Sequence, residues 1–69
     1  MTRLEFRNLK EGDICIIKRG RDEGRHVIVR YIEGEQIVIR AVDGKPLLKA
    51  GFQESPLRLT GFHELDIAK

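Results

Sequence analysis

Apolar, β-branched residues fall in short runs that recur about every ten residues, separated by polar stretches bearing glycine, and no helical spacing is sustained. This pattern predicts an all-β chain. The expected strands are Ile14–Ile17, Val27–Ile32 and Gln36–Val42, with a short fourth over Pro46–Leu48 and a fifth over Leu57–Leu59. Glu33-Gly34 and Asp43-Gly44 place glycine where a tight reversal needs positive φ, so adjacent strands should pair antiparallel. Leu9 to Asp13 reads as a polar turn into the first strand. Ala50 to Pro56 reads as a loop, because Gly51 and Pro56 resist regular structure. Thr60 to Leu65 fits one helical turn capped by Thr60.

Strand alternation puts Val27, Val29 and Tyr31 on one face and Ile28, Arg30 and Ile32 on the other. In the third strand Ile37 and Ile39 oppose Val38 and Arg40, so the arginines mark an outer face. Five short strands cannot fill two layers unless the sheet curls on itself, which predicts a small, strongly bent barrel. A chain of 69 residues allows one such core and buries only ~60% of its unfolded surface. The barrel is expected over residues 9–69. Residues 1–8 are read as an N-terminal arm in which Leu4 and Phe6 could lay an edge strand on the barrel.

Composition narrows the class. Hydrophobic residues make up 41% and charged residues 35%, which is too apolar for a disordered tail. No apolar run approaches the ~20 residues that span a bilayer and the N-terminus lacks a signal-peptide stretch, so a cytoplasmic protein without a membrane partner is expected. The single cysteine, Cys15, excludes an intramolecular disulfide framework.

Thirteen Lys and Arg against 11 Asp and Glu leave a net charge of +2, too small by itself to identify a polyanion partner. Their placement says more. Lys18, Arg19, Arg21, Arg25, His26 and Arg30 cluster against only Asp22 and Glu23. Gly20 and Gly24 would let the backbone approach a phosphate, and guanidinium forks take phosphate oxygens bidentately. The competing reading is a solvated loop whose arginines pair with Asp22 and Glu23. Phe6, Tyr31, Phe52 and Phe62 are too scattered for a base-stacking platform, although Phe52 sits in a loop where its ring could be exposed. Cys15, His26 and His63 match no zinc spacing, and no nucleophile, paired-carboxylate or nucleotide-loop pattern is present. The expectation is therefore no enzyme, no catalytic residue, no metal and no cofactor.

The stretch from Gly12 to Arg25 resembles the KOW motif of ribosomal proteins and NusG-type elongation factors: Gly-Asp, a strand, a basic loop between two glycines, then a second strand. Ala41-Val42-Asp43-Gly44-Lys45 and the Pro56 to Leu65 segment with His63 are similar to the archaeal and eukaryotic large-subunit ribosomal protein family fourteen-e. Short bacterial KOW-domain RNA-binding proteins are similar too. The chain departs from the motif at Val27, where many members have glycine, and at Leu57, Arg58 and Leu59, where the ribosomal proteins are richer in lysine. The resemblance implies an SH3-like barrel that binds structured RNA, rRNA being the expected class, through the loop between its first two strands. The residues implied are Lys18, Arg19, Gly20, Arg21, Gly24, Arg25 and His26, and a ribosomal or transcription-complex protein is a further implied partner. The alternative is a protein-interaction barrel whose outer Ile28, Ile32 and Val38 cover a partner.

Overall fold

The computed structural model describes residues 1–48 and 51–68. A short helix α1 (Arg3–Arg7) precedes β1 (Ile14–Ile17), β2 (His26–Glu33), β3 (Gln36–Ala41) and β4 (Glu54–Arg58); a 3₁₀ helix over Leu59–Glu64 then leads into β5 (Leu65–Ile67). All neighbouring strands are antiparallel, in the order β4-β3-β2-β1-β5. The fold is thus all-β, one antiparallel sheet of five strands that is barrel-like but not closed. Its edges do not hydrogen-bond to each other, but Leu57 of β4 and Leu65 of β5 line one cleft with Ile17 and Ile39, so the sheet curls until they face.

Inside the curl, Cys15, Val27 and Ala41 sit side by side across β1, β2 and β3, each almost fully buried. Ile17, Val29, Ile37, Ile39 and Leu65 complete the strand contribution to the core. The alternation expected for β2 breaks at Arg30. Val29 pairs with Ile39 but Tyr31 pairs with Val38, so Arg30 is the extra residue of a β-bulge. The bulge reverses the parity beyond it. Tyr31 shares the outer face with Val38 and Pro56, while Ile32 pairs with the buried Ile37. Val38 is nevertheless only 7% exposed, because Tyr31 and Pro56 flank it across the strands.

Further expectations are corrected. Residues 1–8 form no edge strand: Thr2 and Glu5 make a reciprocal capping box, with Glu5 N–H donating to Thr2 Oγ1 at 3.1 Å and Thr2 N–H to Glu5 Oε1 at 2.8 Å. The helix so started buries Phe6, and Leu9 follows it into the core. Pro46–Leu48 is not a strand. The Asp43-Gly44 reversal does exist, with Gly44 at φ 78° donating to Ala41 O, but the strand that pairs with β3 is β4, not the segment directly after the turn. Leu47 contributes only an isolated bridge to Phe52 while its side chain plugs the core.

The loop expected from Ala50 begins outside the described residues and ends early, since Glu54–Pro56 already belongs to β4. Pro56 is tolerated because β4 is an edge strand, where a missing N–H need cost no ladder bond. The fifth expected strand stops at Arg58, and Leu59 opens the 3₁₀ helix. That helix confirms the predicted turn, but its cap position is Arg58, with no side-chain cap, rather than Thr60.

Candidate functional site

The loop between β1 and β2 is closed by backbone bonds at its base and again at its tip. Gly24 N–H donates to Ile17 O at 2.7 Å and Ile17 N–H to Arg25 O at 2.9 Å. Within the loop, Glu23 N–H reaches Gly20 O and Arg25 N–H reaches Asp22 O. Gly20 and Gly24 both have positive φ, 86° and 87°, which makes this path accessible without the strain a Cβ would bring.

Arg25 fastens the loop to the segment after β3. One guanidinium nitrogen, Nη1, donates to Asp22 Oδ1 at 2.8 Å and to Pro46 O at 2.9 Å; the other, Nη2, donates to Asp43 Oδ1 and Lys45 O, each at 3.1 Å. Asp22 is 3% exposed, and the same Oδ1 also accepts the Leu48 N–H at 2.9 Å. The hydrogen bond to Asp22 is the main cause that raises the Arg25 guanidinium above its ordinary value, with Asp43 contributing further. Asp43 is held below the usual carboxylate range by the Lys45 backbone N–H first, and by Arg25 as well.

The residues expected to act together are therefore divided. Arg25 and Gly24 shape the loop, and the Arg25 donors are already occupied by four acceptors. His26 is exposed but opens β2 opposite Ile16, on the outer face of the sheet. Lys18 lies near Asp66, at 4.0 Å, across from that same β1 edge. Arg19 and Arg21, flanking Gly20, are exposed and make no hydrogen bond or ion pair with a described residue. Both line a cleft of about 70 Å³ between the loop and the facing sheet edges. Its apolar floor includes Ile17, Ile39, Leu47, Leu57 and Leu65, and Asp22 and Glu64 also contribute to its wall. The volume is well below the ~300 Å³ of a small-molecule site, so the cleft reads as a rim presenting two guanidiniums.

Sequence reasoning missed the acceptors of the clamp: Asp43, the carbonyls of Lys45 and Pro46, and the link from Asp22 to Leu48. The spacing Asp43-Gly44-Lys45 signals an Asx turn, which Asp43 Oδ1 and Lys45 N–H do make. Nothing local signals that Arg25 reaches it. The alternative interaction patch is also dispersed: Ile28 faces outward beside Arg40, Val38 is covered, and Ile32 lies beyond the bulge on the other face.

No family model matches the chain, and neither the curated proteins nor the solved structures contain a match. Among the described residues no helix is long and apolar enough to cross a membrane.

Proposed function

We propose that the chain is a KOW-type RNA-binding domain that grips the phosphate backbone of structured RNA, with rRNA as the foremost candidate, through Arg19 and Arg21. One observation carries the reading: two exposed guanidiniums without partners among the described residues project from a loop whose backbone is fixed by the Arg25 clamp. Fixing the loop before binding lowers the ordering cost that a mobile basic loop would incur. Gly20 between them leaves open space where a Cβ would project, so a phosphate can come close to the backbone. Lys18 can add a third contact, since its exposed pairing with Asp66 at 4.0 Å is weak.

Phosphate contacts position a protein without reading sequence. Arg19→Ala combined with Arg21→Ala is therefore expected to weaken RNA binding by about ten- to a hundredfold, by a similar factor for unrelated sequences. Fluorescence anisotropy with several labelled structured RNAs measures this. Arg40→Ala, on the outer face between Ile28 and Glu54, serves as the control and should leave affinity unchanged. Unaltered affinity in the folded double variant would transfer the function to another surface.

A further inference from the structure

We propose that the RNA held by this loop presents an unpaired nucleotide, whose base stacks on the Phe52 ring while adjoining phosphates meet Arg19 and Arg21. The proposal rests on the RNA-binding reading above and names the form of RNA it selects. Phe52 is the most exposed large apolar side chain among the described residues, at 73%. The other rings have different surroundings: Phe6 is buried, Phe62 packs against the core beneath Arg3 and beside His63, and Tyr31 covers Val38.

The position of Phe52 is set by backbone bonds. Leu47 N–H donates to Phe52 O and Gly51 N–H to Leu47 O, both at 2.8 Å, with Gly51 at φ 70°. Leu47 is itself buried and lines the same cleft as Arg19 and Arg21. Next to it, the Leu48 N–H is tied to Asp22, the neighbour of Arg21. The ring and the two guanidiniums thus stand on segments fastened to each other through Leu47, Leu48 and Asp22, and Leu48 is itself exposed.

An exposed aromatic ring, on a segment fastened to one that bears two exposed cations without partners among the described residues, matches a nucleotide, which carries a π-face and a phosphate. A base inside a continuous A-form duplex is already stacked on both sides and offers no face to a side chain, whereas loops and bulges do. Stacking is tolerant of base identity, which agrees with a site that reads phosphates.

The chain contains no tryptophan, so Phe52→Trp introduces a single indole reporter. The probes are an RNA hairpin with an unpaired loop and the blunt duplex of its stem. The expected result is indole quenching by the hairpin and not by the duplex. Phe52→Ala and Phe52→Leu should each weaken hairpin binding about tenfold or more, bring it close to duplex binding, and leave its salt dependence intact. The backbone bonds of Phe52 survive both substitutions, and circular dichroism checks the fold. Salt-sensitive binding that is equal for both probes and indifferent to Phe52 overturns the stacking proposal alone. Failure of the unsubstituted protein to bind either probe overturns the RNA-binding reading and the stacking proposal with it.

Discussion

Asp22→Ala is expected to destabilise the protein by about 3 kcal/mol, measured by urea unfolding at neutral pH. The carboxylate is 3% exposed and accepts from both the Arg25 guanidinium and the Leu48 N–H. Removing it leaves an unsatisfied amide and a cation deprived of its nearest counter-charge. A chain of 69 residues has a total stability of roughly 3–10 kcal/mol, so the variant should stand close to its unfolding threshold. Asp22→Asn keeps an acceptor for Leu48 and should lose less. Arg25→Ala should lower the melting temperature as well, and the double variant should lose less than the sum of the two single losses, because the Asp22–Arg25 contact is shared while the Arg25 bonds to Pro46, Asp43 and Lys45 are not. A loss below about 1 kcal/mol for Asp22→Ala would mean that the loop is not held by this clamp.

A second large effect is expected at alkaline pH. Burial first, and then the carboxylates of Asp13 and Asp66, push the Cys15 thiol from an ordinary 9.0 up to about 11. The folded chain therefore keeps the proton that the unfolded chain releases. This contribution to stability is fully present below about pH 9 and is lost as pH rises through about 11, a difference worth about 3 kcal/mol. Cys15→Ala should be less stable at pH 7 because it opens a cavity in the core beside Val27, yet its stability should fall less between pH 9 and 11. Parallel profiles for the two proteins would contradict the account. The same burial should make the native thiol slow toward alkylating reagents at neutral pH.

The three central strands were legible because β-branched runs bounded by glycine carry their signal locally: Ile14–Ile17 agrees at both ends, and Val27–Ile32 and Gln36–Val42 agree to within a residue. Where an outcome depended on distant partners, the local signal failed. Arg30 becomes a bulge through the pairing of β2 with β3, so the exchange of Tyr31 and Ile32 between faces could not be read from β2 alone. Pro56 looked like a strand breaker, but it is harmless on an edge, and edge position is a property of the sheet. The helix at Arg3–Arg7 is a different case. Thr2-Arg3-Leu4-Glu5 carries the capping-box spacing in plain sequence, and Phe6 and Leu9 mark its buried side. At the candidate site, the basic loop and the two glycines that bound it were legible, while the separation of Arg25 from Arg19 and Arg21 was not. That separation depends on acceptors at Asp43, Lys45 and Pro46, which only the folded chain brings within reach.

The dependence of RNA affinity on salt, compared between the natural chain and Arg19→Ala/Arg21→Ala, tests the central claim most directly. Each phosphate neutralised releases counterions and contributes a slope of roughly −0.7 to −0.9 in log affinity against log salt. Two guanidiniums, with Lys18 as a partial third, predict a slope of about −2 for the natural chain. The double variant should fold normally, because neither arginine has a partner among the described residues, and its slope should become shallower by about 1.5. The same slope in both proteins, or binding by the natural chain that ignores salt, would contradict the account.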